Sequence, residues 1–220
     1  VDRKVVLYQN WYLDFNKNRQ QELDECLRKN IDCKLISKIV LLGKRDDLLY
    51  INNNFKNIEF ITLLEHGTRP TYNNFFDEMG DSRINILANS DIYFTDSLKY
   101  VHEIREGECF ALSRWDKKTD GTIVPFCHID TQDVWVFAER PRTISGADFT
   151  LGMPGCDNKI AYLLKRNEYK VYNPSIDIKC IHIHMTEKRN YNRTTDTIQP
   201  PYAMVLPITM KQIQEYASQS

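Results

Sequence analysis

The sequence predicts an α/β fold in which a mixed, mostly parallel sheet is flanked by helices. Three observations lead there. Short apolar, β-branched runs alternate with segments whose apolar residues recur every three or four positions. The first such run is apolar almost throughout, as a strand covered on both faces must be. No internal repeat, low-complexity tract or Gly/Ser linker interrupts the 220 residues, so residues 1–220 read as one unit built on a single sheet.

The elements follow in order. Lys4 to Gln9 is the first strand, ending at the polar Asn10. Leu23, Cys26 and Leu27 recur at helical spacing among charged neighbours and predict a helix over about Arg19 to Arg28. Ile36 to Leu42 is the second strand, closed by Gly43 into a charged turn, Lys44 to Asp47. Ile58 to Leu63 is the third. A loop with Gly67, Arg69 and Pro70 leads to a helix near Tyr72 to Met79, then to a strand over Ile84 to Ala88. Residues 1–94 form the first half. In the second, residues 95–185, Thr95-Asp96 caps a helix of about ten residues. The strands Cys109 to Ser113 and Val134 to Phe137 flank a polar loop. A helix over Asn158 to Lys165 and strands near Tyr169 to Tyr172 and Ile178 to His184 precede a Pro-containing tail, 186–220.

Composition narrows the function classes. Hydrophobic residues make up 42% and charged residues 27%, so the chain can bury a substantial core, and disorder, collagen and coiled coil are excluded. The 29 basic and 30 acidic side chains leave a formal charge of -1, too little for a global field that holds nucleic acid or an anionic membrane. No apolar run approaches the roughly 18 residues of a spanning helix, and the N-terminal segment is too short and polar for a signal peptide. These features predict a cytoplasmic chain. The six cysteines show no CxxC pair and read as free, mostly buried thiols. A Gly-rich dinucleotide fingerprint and a Walker-type loop are both missing, against dehydrogenase and P-loop classes.

Two constellations carry chemistry. In Ala88-Asn89-Ser90-Asp91-Ile92-Tyr93-Phe94 an apolar strand runs into a carboxylate at its end, where ligands of open α/β sheets bind. A turn or cap role for Asp91 is the plainer alternative. In Cys180-Ile181-His182-Ile183-His184 the period of two puts both imidazoles on one strand face. They are either half-buried histidines satisfied by backbone carbonyls or, with Asp91, ligands of a divalent metal of the magnesium or manganese type.

The strand-end Asn89-Ser90-Asp91 resembles a reduced Asp-x-Asp motif of the GT-A fold glycosyltransferases, the Rossmann-like nucleotide-diphospho-sugar transferases. The run from Gln132-Asp133 through Asp148-Phe149 and Gly152-Met153-Pro154-Gly155-Cys156-Asp157-Asn158 to His182-Ile183-His184 and Arg189-Asn190-Tyr191 is similar to glycosyltransferase domains of microbial and large-virus surface glycans. One of these is the first domain of a multidomain chlorella-virus glycosyltransferase; the virus-encoded case would place the chain in host cytoplasm, with further domains of a longer chain. The departure is Asn89, which stands where the motif has its first Asp.

The resemblance implies a metal-dependent transfer of a hexose or deoxyhexose from a nucleotide diphosphate sugar, a UDP-sugar first, to a glycan acceptor. Mn2+ or Mg2+ would be held by Asp91 with His182 or His184, and Asn89 and Ser90 would line the donor. Gln9, Asn10 and Trp11 would receive the base, with Arg69 and Tyr72 beside the ribose or diphosphate. Asp157 would act as the base of an inverting reaction or simply cap its helix. Asp133 is the second candidate, facing donor or acceptor, or else simply a solvated residue at the start of its strand. Trp115-Asp116 would be a wall of the sugar pocket or buried packing, and Lys188, Arg189 and Arg193 either diphosphate contacts or a solvated loop. A nucleotide-sugar hydrolase or phosphodiesterase would use the same ligands, and a non-catalytic glycan-binding module is the reading Asn89 favours.

Overall fold

A computed structural model describes residues 3–55, 59–126, 128–185, 192 and 194–218. The first half holds β1 (Lys4–Asn10), α1 (Lys17–Asp32), β2 (Lys38–Gly43), α2 (Arg45–Asn54), β3 (Ile61–Glu65), α3 (Tyr72–Glu78), β4 (Arg83–Ala88) and β5 (Ile92–Phe94). After a 3-10 helix (Asp96–Glu103) come β6 (Glu108–Leu112), β7 (Trp115–Lys117), β8 (Ile123–Pro125), β9 (Val134–Phe137), α4 (Cys156–Arg166), β10 (Lys170–Tyr172), β11 (Cys180–His182) and α5 (Met210–Ser218).

Seven strands form the main sheet in the order β10-β6-β9-β4-β1-β2-β3. All its pairings are parallel except those of β9, which runs antiparallel to both β4 and β6. Alternation along the strands splits the core in two. Val5, Leu7, Ile39, Leu41, Ile84 and Ile86 face α1 and α2 through Leu23, Leu27, Leu48 and Ile51. Val6, Tyr8, Val40 and Leu42 face α3 and α4 through Phe75, Phe76, Ile160 and Leu164. The chain winds outward from β1 to β3 and then returns to place β4 on β1's other side. The carboxyl ends of β1 and β4 thus flank the crevice where the winding reverses, the usual ligand position in such sheets.

A smaller sheet, β5-β11-β7-β8, stands apart from the main one, so the two halves do not share a single sheet throughout. Buried Asn30 on α1 supports it by bonding like a missing strand: its Nδ2 donates to Ile92 O (2.9 Å) and its Oδ1 accepts from Phe94 N (3.1 Å).

Several elements differ from the sequence expectation. The charged turn at Lys44 to Asp47 is the start of α2: Leu48 and Ile51 recur at helical spacing into the core, and Asp46 and Asp47 suit its N-terminal dipole. Gly43, just before it, is required by space, because a Cβ there would lie 2.5 Å from Trp11 O. The polar loop after β6 contains the hairpin β7–β8, and the tail carries α5, which buries Met210 and Ile213. Helix α1 begins two residues early, capped by Asn16, whose side chain accepts from Asn18 N and Arg19 N. Ile58, expected to open β3, lies outside the described residues, and β11 ends at His182.

Candidate metal and substrate site

Asp91 sits in the turn between β4 and β5, and its main chain continues the small sheet: Asp91 O accepts from Ile183 N at 3.0 Å. That register brings β11 alongside, with Ile181 and Ile183 buried on one side and the imidazoles on the other. One ligand atom from each of Asp91, His182 and His184 lies within 4.8 Å of the others. His182 Nε2 is 3.2 Å and His184 Nδ1 3.7 Å from Asp91 Oδ2.

Around this cluster runs a chain of charge. Arg19, from the first turn of α1, donates to Asp91 Oδ2, to Ile183 O (3.0 Å) and to Glu22 Oε2 (2.9 Å). Asp116 Oδ1, on β7, lies 3.0 Å from His182 Nδ1 and accepts from Arg114 Nε at 2.9 Å. Arg114 reaches on to Asp133 Oδ2 (3.3 Å), and Asp133 Oδ1 accepts from Asn89 Nδ2 at 2.9 Å. Contacts therefore run in a chain from Asn89 through Asp133, Arg114, Asp116 and His182 to Asp91, across both sheets.

The electrostatics follow from these contacts. Burial alone would push the Asp91 carboxyl up, but His182, His184 and Arg19 hold it well below the usual carboxylate range. Burial works against charge on His182, yet Asp91 and Asp116 hold its proton up to about 9. The His182 hydrogen bond and Arg114 lower Asp116 despite its partial burial. Asp157 is different. Burial, then the charge of Asp133, pushes its carboxyl up to about 7, against the Cys156 thiol (3.0 Å to Oδ1) and the Gln132 backbone amide.

A divalent cation fits these residues. The Asp91 Oδ1 atom is buried with no hydrogen-bond partner, while Arg19 occupies Oδ2. Carboxylate and imidazole suit manganese or magnesium completed by phosphate oxygens. Asp116 on Nδ1 turns the Nε2 of His182 toward Asp91, the way second carboxylates orient metal-binding histidines.

The other expected residues are distributed unevenly. Gln9 is buried, donating Nε2 to Asn89 O (2.8 Å), and Ser90 Oγ donates to Asn10 O; both therefore brace the strand ends. Trp11 and Tyr72 differ from the expectation. The Trp11 ring lies in the core, edge-on to Phe55, and Tyr72 is enclosed by Phe76, Trp135 and Phe149, so neither offers a face to a ligand. The reason is the face each backbone position imposes: Trp11 lies two residues beyond Gln9, and Tyr72 is the first helical residue after the Thr71 cap. Tyr12 is the half-buried aromatic near the site, against Arg19 and within electrostatic reach of Asp91 and Arg69. Exposed Arg69 donates to Leu151 O at 2.6 Å. Asp157 is not the cap of α4; Gly155 is, in a left-handed conformation whose Cβ would meet Ile198 O at 2.8 Å. Trp115 is half-buried, its Nε1 donating to Ser175 O. Lys188, Arg189 and Arg193 lie outside the described residues.

Arg19, Arg114 and Asp116 are the site residues that sequence patterns undervalue. Arg19 did carry a signal: a cation in the first turn opposes the helix dipole, so its place there calls for an external carboxylate. A cleft of about 490 Å³, lined by Asp81, Glu139, Arg140 and Tyr169 among others, is at the opposite ends of β4 and β9 from Asp91 and Asp133.

No protein-family model and no curated protein sequence matches the chain. Solved structures do. TarS from S. aureus, in complex with UDP-GlcNAc, superposes with a TM-score of 0.53 at 11% identity over 89% of this chain and 62% of its own. The mannosyltransferase PcManGT from Pyrobaculum calidifontis, with GDP-Man and Mn2+, gives 0.52 at 12% over 87% and 59%. A 4-diphosphocytidyl-2C-methyl-D-erythritol synthase from Anaerococcus prevotii gives 0.51 at 12% over 79% and 89%. The chain thus spans less than two thirds of the length of TarS and of PcManGT. At such identities the likeness establishes the fold, and that fold is GT-A-like, shared by glycosyl and nucleotidyl transferases. Among the described residues, no helix is long and apolar enough to cross a membrane.

Proposed function

We propose that the protein is a metal-dependent glycosyltransferase that moves a hexose or deoxyhexose from a nucleotide diphosphate sugar, a UDP-sugar first, to a glycan hydroxyl with inversion. The observation that carries this reading is the grouping of Asp91, His182 and His184 at the winding reversal, with a second carboxylate pair, Asp133 and Asp157, beyond Arg114. Asp91 Oδ1 and the two imidazoles would hold Mn2+ or Mg2+, which when bound stabilises the charge growing on the diphosphate leaving group.

Asp157 serves as the base: a carboxyl held near 7 can accept a proton at neutral pH without being too weak a base. The acceptor oxygen bonds to the anomeric carbon as the bond from that carbon to the diphosphate oxygen breaks. The proton passes to Asp157 Oδ and the electron pair leaves with the nucleotide. Arg19 fixes Asp91 throughout, and Tyr12, within electrostatic reach of Asp91 and Arg69, would meet the donor together with Arg69.

A panel of nucleotide sugars, each with Mn2+ or Mg2+ and glycan acceptors, tests the reading. Acceptor-dependent release of the nucleoside diphosphate supports it. Equal sugar release with and without acceptor indicates a hydrolase, and nucleotide binding indifferent to Mn2+ indicates a glycan-binding module.

A further inference from the structure

Position 89 carries an amide where the GT-A resemblance leads one to expect a carboxylate, and the structure gives that amide a specific task. Asn89 follows β4 directly, and Asp133 leads directly into β9, the antiparallel neighbour of β4. The two residues are joined twice where these strands part: Asn89 N donates to Asp133 O at 3.1 Å and Asn89 Nδ2 to Asp133 Oδ1 at 2.9 Å. Gln9 pins Asn89 from the other side through its carbonyl, so the residue has little freedom to turn away. The remaining oxygen of Asp133 takes Arg114, whose guanidinium lies 4.2 Å over the Phe126 ring.

Building on the transferase reading, we propose that the second carboxylate of this site stands at position 133 and not at 89, and that Asn89 is the positioning residue that holds it there. An aspartate at 89 would set two carboxylate oxygens about 3 Å apart in a largely buried place, with no proton between them. One of the two would then have to rotate away or be neutralised. An amide instead supplies the donor that Asp133 needs while Arg114 supplies the charge. The sequence difference from Asp-x-Asp is thereby a relocation of the carboxylate across the sheet, not its loss.

The test compares Asn89→Asp, Asp133→Asn and the exchanged pair Asn89→Asp/Asp133→Asn in the full chain, by thermal unfolding and by calorimetric titration with Mn2+ alone. Asn89→Asp should lower the unfolding midpoint by roughly 4–8 °C and leave Mn2+ affinity within about threefold, since residue 89 faces Asp133. The exchanged pair can again form the bond, with the new amide at position 133 donating to the new carboxylate at position 89 and the amide oxygen accepting from Arg114. It should recover more than half of the lost midpoint, a non-additivity of the kind that contacting pairs show. Two results overturn the proposal: Asn89→Asp with an unchanged midpoint and Mn2+ affinity tenfold higher or more, or an exchanged pair as unstable as the sum of its single changes. If the unaltered protein binds no Mn2+, the proposed function fails while the melting comparison still decides the pairing.

Discussion

Replacing Asp157 by Asn should make the protein more stable while removing transfer, and only above mildly acidic pH. The folded carboxyl holds its proton to about 7, against 3.8 for the ordinary group. Between those values the unfolded chain has released a proton that the folded protein still binds. Stability therefore falls as pH rises through the window from about 4 to 7, and the full penalty is present above it. Three powers of ten in proton affinity correspond to about 4 kcal/mol at most. Solvent screens part of this half-buried group, leaving about 1–3 kcal/mol. Asn keeps an oxygen for the Cys156 thiol and offers an N–H toward Asp133, so the substitution removes the charge without opening a hole. For a chain of this size the midpoint should rise by roughly 3–8 °C at pH 8 and by nothing near pH 4. Circular dichroism melts of both proteins from pH 4 to 8.5 read the difference. A gap that does not change with pH would refute the reasoning, because it would show that Asp157 ionises in the folded protein as it does in the unfolded one.

Other expectations follow from the same contacts. Asp91→Ala should abolish metal-stimulated turnover of the donor, and, by taking from buried Arg19 one of its two carboxylate partners while Glu22 remains, should cost about 1.5–3 kcal/mol in urea unfolding. Asp116→Asn leaves the metal-facing atoms in place but loosens His182, so Mn2+ affinity measured by calorimetry should fall roughly 10–100-fold. Trp11→Ala should lower stability by about 3–5 kcal/mol through the cavity left in the core. Tyr12→Ala should instead weaken binding of UDP with Mn2+, and equal UDP affinity in both variants would remove Tyr12 from the donor side.

The alternation of apolar runs made the main sheet legible, because strands buried on both faces must be apolar throughout. The small sheet was not: β7 and β8 are half-buried and exposed, and their residues, Lys117 and Pro125 among them, read as loop until β11 supplies a partner. Helix α2 was hidden by Lys44 to Asp47, whose charges suit a turn and a helix start equally. At the site, Asp91, His182 and His184 could be named because a strand end and a period of two place them without knowledge of tertiary contacts. Trp11 shows the limit of such reasoning. Proximity to a strand end does not say which face a ring takes, and Gly43, packed on its carbonyl, leaves the chain turning inward there.

The Arg19 guanidinium joins residues far apart in the chain, Asp91 lying 72 positions away and Ile183 164. Pairing among β1, β2, β3 and β4 needs nothing beyond the first half, whereas the ion cluster exists only once β11 has docked on β5. Such long-range closures come late in folding, since the entropy of the intervening loop must be lost first. Under the proposed function, binding of a divalent cation would therefore report complete folding: a chain with an intact main sheet and an undocked β11 would keep its strands and helices and hold no metal.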